Sequence, residues 1–226
     1  MIKLSSRILV TALLAALSSQ ACASTRTATS PQRTSTSAST AELEAIFEAR
    51  ADSALMDVSE ADVAFMTGMI GHHAQALVMS GFAPNNGASR SIRILTARII
   101  NAQKDEIAVM QNWLRERGRP VPEVSDDGHV MGGAEHQMQM AGMLSPEQLQ
   151  ALSAATGPEF DRLFLTYMIQ HHEGAVTMVH DLFATDGAAQ DDLSFKLASD
   201  IQVDQITEVA RMRQMLAALP ASGPRR

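Results

Sequence analysis

The chain has 226 residues, of which 46% are hydrophobic, with 18 basic against 25 acidic side chains and a net charge of −7. An acidic chain with one Trp and one Tyr lacks the basic surface that nucleic acids need, so no nucleic-acid partner is expected. A single cysteine excludes an internal disulfide, and the fold must therefore depend on its core.

Residues 1–21 have the form of a signal peptide. Two basic residues precede an apolar run that is too short for a permanent membrane span, and small residues follow up to Ala21. Cys22 comes next, which predicts cleavage before a cysteine that then carries a lipid. Simple secretory cleavage near Ala21 or Ala23 is the alternative. Either route exports the protein to the periplasm or cell envelope, and lipidation of Cys22 would anchor it to the membrane.

The next segment, 22–40, consists largely of Ser, Thr, Ala, Pro, Gln and Arg, a composition that predicts a flexible tether. One helical domain is expected over 41–219, and a disordered tail over 220–226. Ala, Glu and Leu are frequent in 41–56, which predicts a helix that packs across one end of the domain.

An internal repeat lies within this domain, at an offset of 99 residues (62 to 161). At 100° per residue the matched side chains of each copy fall on one face of a helix. The matched positions are Asp62, Phe65, Met69, Ile70, His72, His73, Ala76 and Met79 in the first copy, and Asp161, Phe164, Met168, Ile169, His171, His172, Ala175 and Met178 in the second.

Each repeat is predicted to form two helices joined by a short turn. Ser59 and Ser89 are helix-start signals in the first repeat, and Gly157 with Pro158 is one in the second. Four long helices in two hairpins predict an all-α fold, an antiparallel four-helix bundle with approximate two-fold symmetry. The expected boundaries are 58–118 for repeat one, 119–157 for a Met- and His-rich connector, and 158–219 for repeat two.

Paired imidazoles on two matched helices predict a metal site in the bundle interior. Imidazole suits copper and zinc, and thioether suits Cu(I). Glu106 and Glu208 lie on the partner helices, where a carboxylate would orient an imidazole or bind the ion itself. Gln103 and Gln205 occupy matched positions one turn earlier. The candidate ligands of the bundle are His72, His73, His171, His172, Met69, Met79, Met168, Met178, Glu106 and Glu208.

The connector is a second candidate site. His136, Met138, Met140 and Met143 are close enough in sequence to wrap one soft cation. The alternative is an amphipathic cap whose methionines pack against the bundle. The bundle ligands also have a structural alternative, in which buried histidines pair with glutamates to fix register, and the methionines only fill the core.

The pattern of Phe, Met, His-His, Ala and Met, followed one helix later by Gln-x-x-Glu and Met, resembles the domain-of-unknown-function 305 family (DUF305). The resemblance covers roughly residues 58–218 and includes the segment from Gly142 to Pro146. It implies an exported, ferritin-like helical bundle. For some members of the family it also implies copper binding or a link to copper tolerance.

Three functions follow from these features. The first is an exported protein that sequesters or buffers a metal ion, copper or another transition metal, through paired histidines and methionines. The second is a metal-independent interaction module with structural or pH-sensitive histidines. A redox enzyme is less favoured, because ferritin-like di-metal sites use Glu-x-x-His on two helices and this chain lacks that motif. Small residues on the helix faces also allow a homodimer.

Overall fold

The computed structural model describes residues 39–56, 58–131 and 140–220, with the side chains of 50–56 excepted. The predicted signal peptide, lipidated Cys22, tether and tail lie outside the described residues. The helices are α1 Thr40–Met56, α2 Glu60–Gly81, α3 Arg90–Glu116, α4 Pro146–Ala154, α5 Gly157–Phe183 and α6 Asp192–Ala218. Between α3 and α4, the short strands β1 Glu123–Val124 and β2 Val130–Met131 pair antiparallel. The all-α prediction is confirmed. Within the described ranges, no helix has both the length and the apolar character to cross a membrane.

Side-chain caps fix where these helices begin. Ser59 caps α2 and Ser89 caps α3, each accepting a backbone N–H three residues on. Ser145 forms a capping box with Gln148 at the start of α4. Asp191 caps α6, where its side chain accepts the backbone N–H of Ser194. Each such cap typically contributes about 1 kcal/mol.

The four long helices share their core. Helices α2 and α5 pack against each other, while α3 packs on α2 and α6 on α5. Buried apolar side chains from all four form two clusters. The Trp113 cluster includes Phe65, Met66, Met69, Ile70, Ile107, Met110, Trp113, Ala175, Val179, Ala198 and Ile201. The Phe160 cluster includes Ala76, Met79, Leu95, Ile99, Leu144, Phe160, Phe164, Met168, Val209 and Met212.

Two buried aspartates join the repeats to each other, and we call these contacts the repeat clasps. Asp62 on α2 accepts a hydrogen bond from Ala189 N (2.9 Å), just before α6. Its matched residue, Asp161 on α5, accepts one from Ser89 N (3.1 Å), at the start of α3. The first helix of each repeat therefore binds the start of the second helix of the other repeat. The two contacts are related by the approximate two-fold symmetry.

Helix α1 does not pack as its sequence predicts. Leu43, Ile46 and Phe47 form an apolar stripe, yet they are about half or more exposed, and Phe47 reaches 74%. The expected packing across one end of the domain is therefore not observed for the side chains that the structure describes. The fold that positions the candidate site is built by α2, α3, α5 and α6.

Candidate metal centre

A polar layer crosses the core between the Trp113 cluster and the Phe160 cluster, and we call it the histidine layer. On α3, Gln103 lies between Ile99 of one cluster and Ile107 of the other. Along α2, α5 and α6, too, the polar residues of the layer lie between apolar residues of the two clusters. The six members, all almost fully buried, are His72, His73, Gln103, His171, His172 and Gln205.

The two glutamines of the layer were not among the ligands predicted from sequence. Their signal was nevertheless present, because Gln103 and Gln205 occupy matched positions of the second helices, 102 residues apart (103 to 205). Neither polar atom of Gln103 has a hydrogen-bond partner among the described residues, and Oε1 of Gln205 has none either. A long amide in a core is more costly than Leu unless a partner satisfies it.

The outer rings of the layer, His73 and His172, are each bound to a carboxylate. His73 Nε2 donates to Glu106 Oε2 over 2.5 Å, and His172 Nε2 donates to Glu208 Oε2 over 2.7 Å. A carboxylate oxygen only accepts, so in the neutral form of either ring the proton sits on Nε2 and the lone pair on Nδ1. Neither Nδ1 has a hydrogen-bond partner in the described part of the chain.

The inner rings, His72 and His171, stack on each other across α2 and α5. Their centroids are 3.8 Å apart and their planes are inclined by 37°. His72 Nε2 donates to the carbonyl of Ala141 over 3.1 Å, which leaves the lone pair of this ring on Nδ1 as well. His171 has no partner at either nitrogen within the described residues.

Burial keeps the inner pair neutral. Burial, together with the nearby His73, lowers the pKa of His72 to about 3. Burial also lowers the pKa of His171 well below its usual value, with His72 as the next cause. At neutral pH both rings therefore carry a free lone pair, the form in which imidazole binds metal ions.

Unpartnered polar atoms are concentrated in the histidine layer. An unsatisfied buried polar group costs about 1–3 kcal/mol, and native proteins contain few of them. The unpartnered atoms in the layer are His72 Nδ1, His73 Nδ1, both ring nitrogens of His171, His172 Nδ1, both amide atoms of Gln103 and Gln205 Oε1. Apart from Nε2 of Gln103 and the protonated nitrogen of His171, these atoms present lone pairs, and such a set fits a cation better than it fits an apolar core.

The layer is not a finished coordination sphere in the described residues. No three His, Cys, Asp or Glu side chains converge closely enough there to hold a metal ion. The rings of His72 and His171 are in contact, with their planes inclined by 37°. An ion would therefore require these rings to turn about their side-chain torsions, or ligands of another kind.

Comparison with known proteins identifies the family. The model of a family described as "Domain of unknown function (DUF305)" matches residues 62–216. The chain belongs to the DUF305 family. Among curated proteins, none matches this chain.

Solved structures of other proteins share the fold. A DUF305 fragment from Deinococcus radiodurans is 28% identical, with a TM-score of 0.61 over 72% of this chain and 99% of that one. CopM in its Cu(I)-bound form is 29% identical, with a TM-score of 0.53 over 69% and 95% of the two chains. CopM in a silver-bound form is 27% identical, with a TM-score of 0.54 over 71% and 98%.

The methionines predicted as ligands divide into two groups in this DUF305 domain. Met69 and Met168 lie one helical turn before the inner histidines, and each is fully buried. Met69 belongs to the Trp113 cluster and Met168 to the Phe160 cluster, so a thioether borders the layer on each side. Met79 and Met178 lie about two turns beyond the histidines and pack among apolar side chains.

The connector of the DUF305 domain is described only in part. His136 and Met138 lie outside the described residues. Met140 Sδ lies 3.2 Å, and Met178 Cε 3.5 Å, from the position that a Cβ on Gly68 would take. Both side chains therefore lie beside Gly68, one turn before His72. Met143 is half-buried.

Proposed function

We propose that this DUF305 protein binds a soft transition-metal cation, copper(I) in the first place, in the histidine layer and thereby sequesters or buffers it. The observation that carries the proposal is the set of buried, unpartnered imidazole nitrogens on both repeats. The copper- and silver-bound forms of CopM support the choice of ion, since silver(I) resembles copper(I) in charge and softness.

The outer histidines are prepared as ligands by their carboxylates. Glu106 and Glu208 hold the Nε2 protons of His73 and His172, which fixes the tautomer and makes Nδ1 the ligand atom. A carboxylate on the far nitrogen also raises the basicity of the ring, as is common in metal sites. In this proposal the glutamates orient ligands and do not touch the ion.

The inner pair supplies the remaining nitrogens. His72 and His171 are neutral, lie next to each other, and turn toward a shared ion when their stacking is broken. The thioethers of Met69 and Met168 are one turn away and complete a nitrogen and sulfur set of the kind that Cu(I) prefers. Met140 and Met143 of the connector extend this supply of thioethers outside the layer.

Export of the protein belongs to the same proposal. The signal peptide ending at Ala21 and the lipid on Cys22 would place the domain outside the cytoplasm, at the membrane surface. Thioether ligands suit an oxidising compartment, because they do not form disulfides. The bound ion is cargo, and no redox turnover is proposed.

Competition titration of the metal-free protein with Cu(I) and a chelator tests the proposal. We expect one or more tightly bound ions per chain, and we expect the double variant His72→Ala with His171→Ala to bind at least about tenfold more weakly. The matched control replaces His129 and His180, which are both exposed. Unchanged affinity in the layer variant, or an equal loss in the control, would contradict the proposal.

The carboxylate pairs favour a second function if no ion binds. Bonds such as His73 to Glu106 would then fix the register of α2 against α3, and the protein would be an interaction module with structural histidines. Circular dichroism with and without Cu(I) separates the two functions. A melting temperature that is the same with and without Cu(I) favours the structural role.

A further inference from the structure

The segment Met140–Leu144, which we call the cover segment, lies across α2 and α5 beside the inner histidines. The Ala141 carbonyl accepts the hydrogen bond from His72. Gly142 O accepts one from Gln170 Nε2 over 3.3 Å. The cover segment is therefore bonded both to an inner ring and to the helix that carries the other inner ring.

Gln75 holds the C-terminal end of the cover segment through both atoms of its amide. Leu144 N donates to Gln75 Oε1 over 2.8 Å, and Gln75 Nε2 donates to Leu144 O over 3.1 Å. The Leu144 side chain is itself buried in the Phe160 cluster. This end is thus anchored, whereas Ala141 is exposed and Met140 and Met143 are half-buried.

Glycines let the cover segment lie directly on α5. A Cβ added to Gly174 would be 2.1 Å from Ala141 O and 2.5 Å from Gly142 Cα. Gly142 has a φ of +78°, and its Cβ would be 2.6 Å from Gln170 O. Any side chain at Gly174 would therefore displace the segment, and Gly142 combines a left-handed backbone with close contact to α5.

The residues that seat the cover segment are a matched pair in which the two repeats differ. Gln75 and Gly174 are 99 residues apart (75 to 174), the offset that also relates the histidine doublets. The first repeat supplies a long amide that binds the segment, and the second supplies no side chain, which leaves room for it. This difference gives the segment one orientation on an otherwise nearly symmetric surface.

We propose that the cover segment is a removable cover over His72 and His171, and that Gln75 is the positioning residue that seats it. All four histidines are 0% exposed, so an ion or reagent reaches the inner pair only after some part of the protein moves. The four long helices are held by two apolar clusters and by the repeat clasps. The cover segment is held by hydrogen bonds with His72, Gln170 and Gln75 and by the buried side chain of Leu144. Segments with so few apolar contacts open locally at lower cost.

Diethyl pyrocarbonate, which reacts with accessible neutral imidazoles, tests the cover without any metal. With Gln75→Ala, we expect His72 and His171 to react roughly five- to a hundredfold faster, the range for loss of two ordinary hydrogen bonds. We expect His73 and His172 to change much less, since the cover segment bonds to His72 and not to the outer rings, which Glu106 and Glu208 hold toward other helices. Tandem mass spectrometry measures each rate, because fragmentation of a peptide assigns the label to one of two adjacent histidines.

The matched control is Gln111→Ala. Its amide donates to the carbonyl of Pro122 over 2.8 Å and so holds a different loop on α3. We expect no acceleration at the inner histidines in this variant. No acceleration in Gln75→Ala, or an equal rise at all four histidines, would overturn the proposal, because the first shows that the segment does not limit access and the second shows general loosening.

Gly174→Ala provides an independent route to the same state, because its Cβ displaces the segment without touching Gln75. We expect the same preference for the inner histidines. Should either variant fail to fold, circular dichroism reveals it and the other variant decides the question.

The role of the cover in ion uptake rests on the proposed function, and silver(I) tests that part separately. We expect Gln75→Ala to bind Ag(I) at least about fivefold faster, with an equilibrium affinity within about threefold of the wild type. An unchanged rate of binding contradicts control of uptake by the cover. If the wild type binds no silver, the proposed function fails, while the labelling experiment still decides whether the segment covers the inner pair.

Discussion

His72 is the residue at which three features of the molecule meet. It stacks on His171, donates to the cover segment, and lies in the middle of the histidine layer. Its doublet partner, His73, is directed to the other side of the layer and bonds to Glu106. Two adjacent histidines on one helix therefore have different partners, an arrangement that their identical chemistry does not suggest.

The low pKa of His72 predicts how the metal-free protein responds to acid. The unfolded chain takes up a proton near the ordinary value of 6.5, whereas the folded chain does so only near 3. The unfolded state thus binds more protons between these values, and the free energy of unfolding falls as the pH falls through that window. The surrounding titratable groups are His73, His171 and His172.

We expect His72→Gln to remove one of the protons that the unfolded chain binds and the folded chain does not. Between pH 7.5 and 5.5 the variant should lose about 1.4 kcal/mol less free energy of unfolding than the wild type does. Urea denaturation with a chelator present measures both losses. His180→Gln, an exposed position on the adjoining helix α5, should follow the wild type, and an unchanged pH dependence in His72→Gln would contradict the assigned pKa.

The sequence indicated which side chains form the candidate site, but it did not indicate their orientation. Helical periodicity placed His72 and His171 on the buried face, because burial follows from position on a helix. The stacking of the two rings depends on side-chain torsions, which are set by contacts between α2, α5 and the cover segment. Those contacts join residues about 70 to 100 positions apart, such as His72 with Ala141 and His171.

At the scale of single elements, the residue that caps the start of α6 also binds two side chains of α3 and its C-terminal end. Asp191 accepts from Ser194 N, and its carboxylate also accepts from Trp113 Nε1 and from Arg117, each over 2.9 Å. The Arg117 guanidinium lies 4.3 Å from the centre of the Trp113 ring, which it covers. The end of α3 is thus tied to the beginning of α6, at the margin of the Trp113 cluster.

We expect Asp191→Ala to lower the free energy of unfolding by about 2–4 kcal/mol. The variant loses a helix cap and leaves the buried Arg117 guanidinium without its carboxylate. Chemical denaturation followed by circular dichroism gives the value. Asp192→Ala, its exposed neighbour in the first turn of α6, should cost less than about 1 kcal/mol, and equal costs would show that the ties to α3 contribute nothing.

The helices were the most predictable elements. Ser59, Ser89 and Gly157 marked the starts of α2, α3 and α5 within a residue or two, because helix-start signals are local chemistry. The seat of the cover segment was not predictable. To predict this seat, one would have to know that Gln75 and Gly174 contact the same chain segment. Alignment of the two repeats shows only that different residues occupy this matched position.

At the scale of the whole molecule, the repeat clasps relate two hairpins that are far apart in sequence. We expect Asp62→Ala and Asp161→Ala each to cost about 1–3 kcal/mol, with the larger loss at Asp62, which also accepts from Ser59 Oγ. Because α2 and α5 run antiparallel, the two clasps lie at opposite ends, and the losses should add within about 0.5 kcal/mol.

Urea titrations of the two single variants and the double variant measure this additivity. A double loss that departs from the sum by well over 1 kcal/mol would show that the clasps act as one unit, contrary to their separate positions. The duplication itself predicted the two-fold symmetry. The two residues that receive the clasps, Ser89 and Ala189, lie in turns with different sequences and could be assigned only from the structure.

The division of the core by the histidine layer has a consequence for the lifetime of the protein. A core split by unpartnered polar groups leaves the empty chain less resistant to proteases than its size suggests. A metal ion bound in the layer would raise the free energy of unfolding by RT ln(1 + [L]/Kd). This is about 2.7 kcal/mol when the free ion is at a hundred times Kd. Under the proposed function, the lifetime of the protein in the envelope would increase when more metal is present and decrease when less is present. The abundance of the protein would then follow the amount of metal without any transcriptional signal.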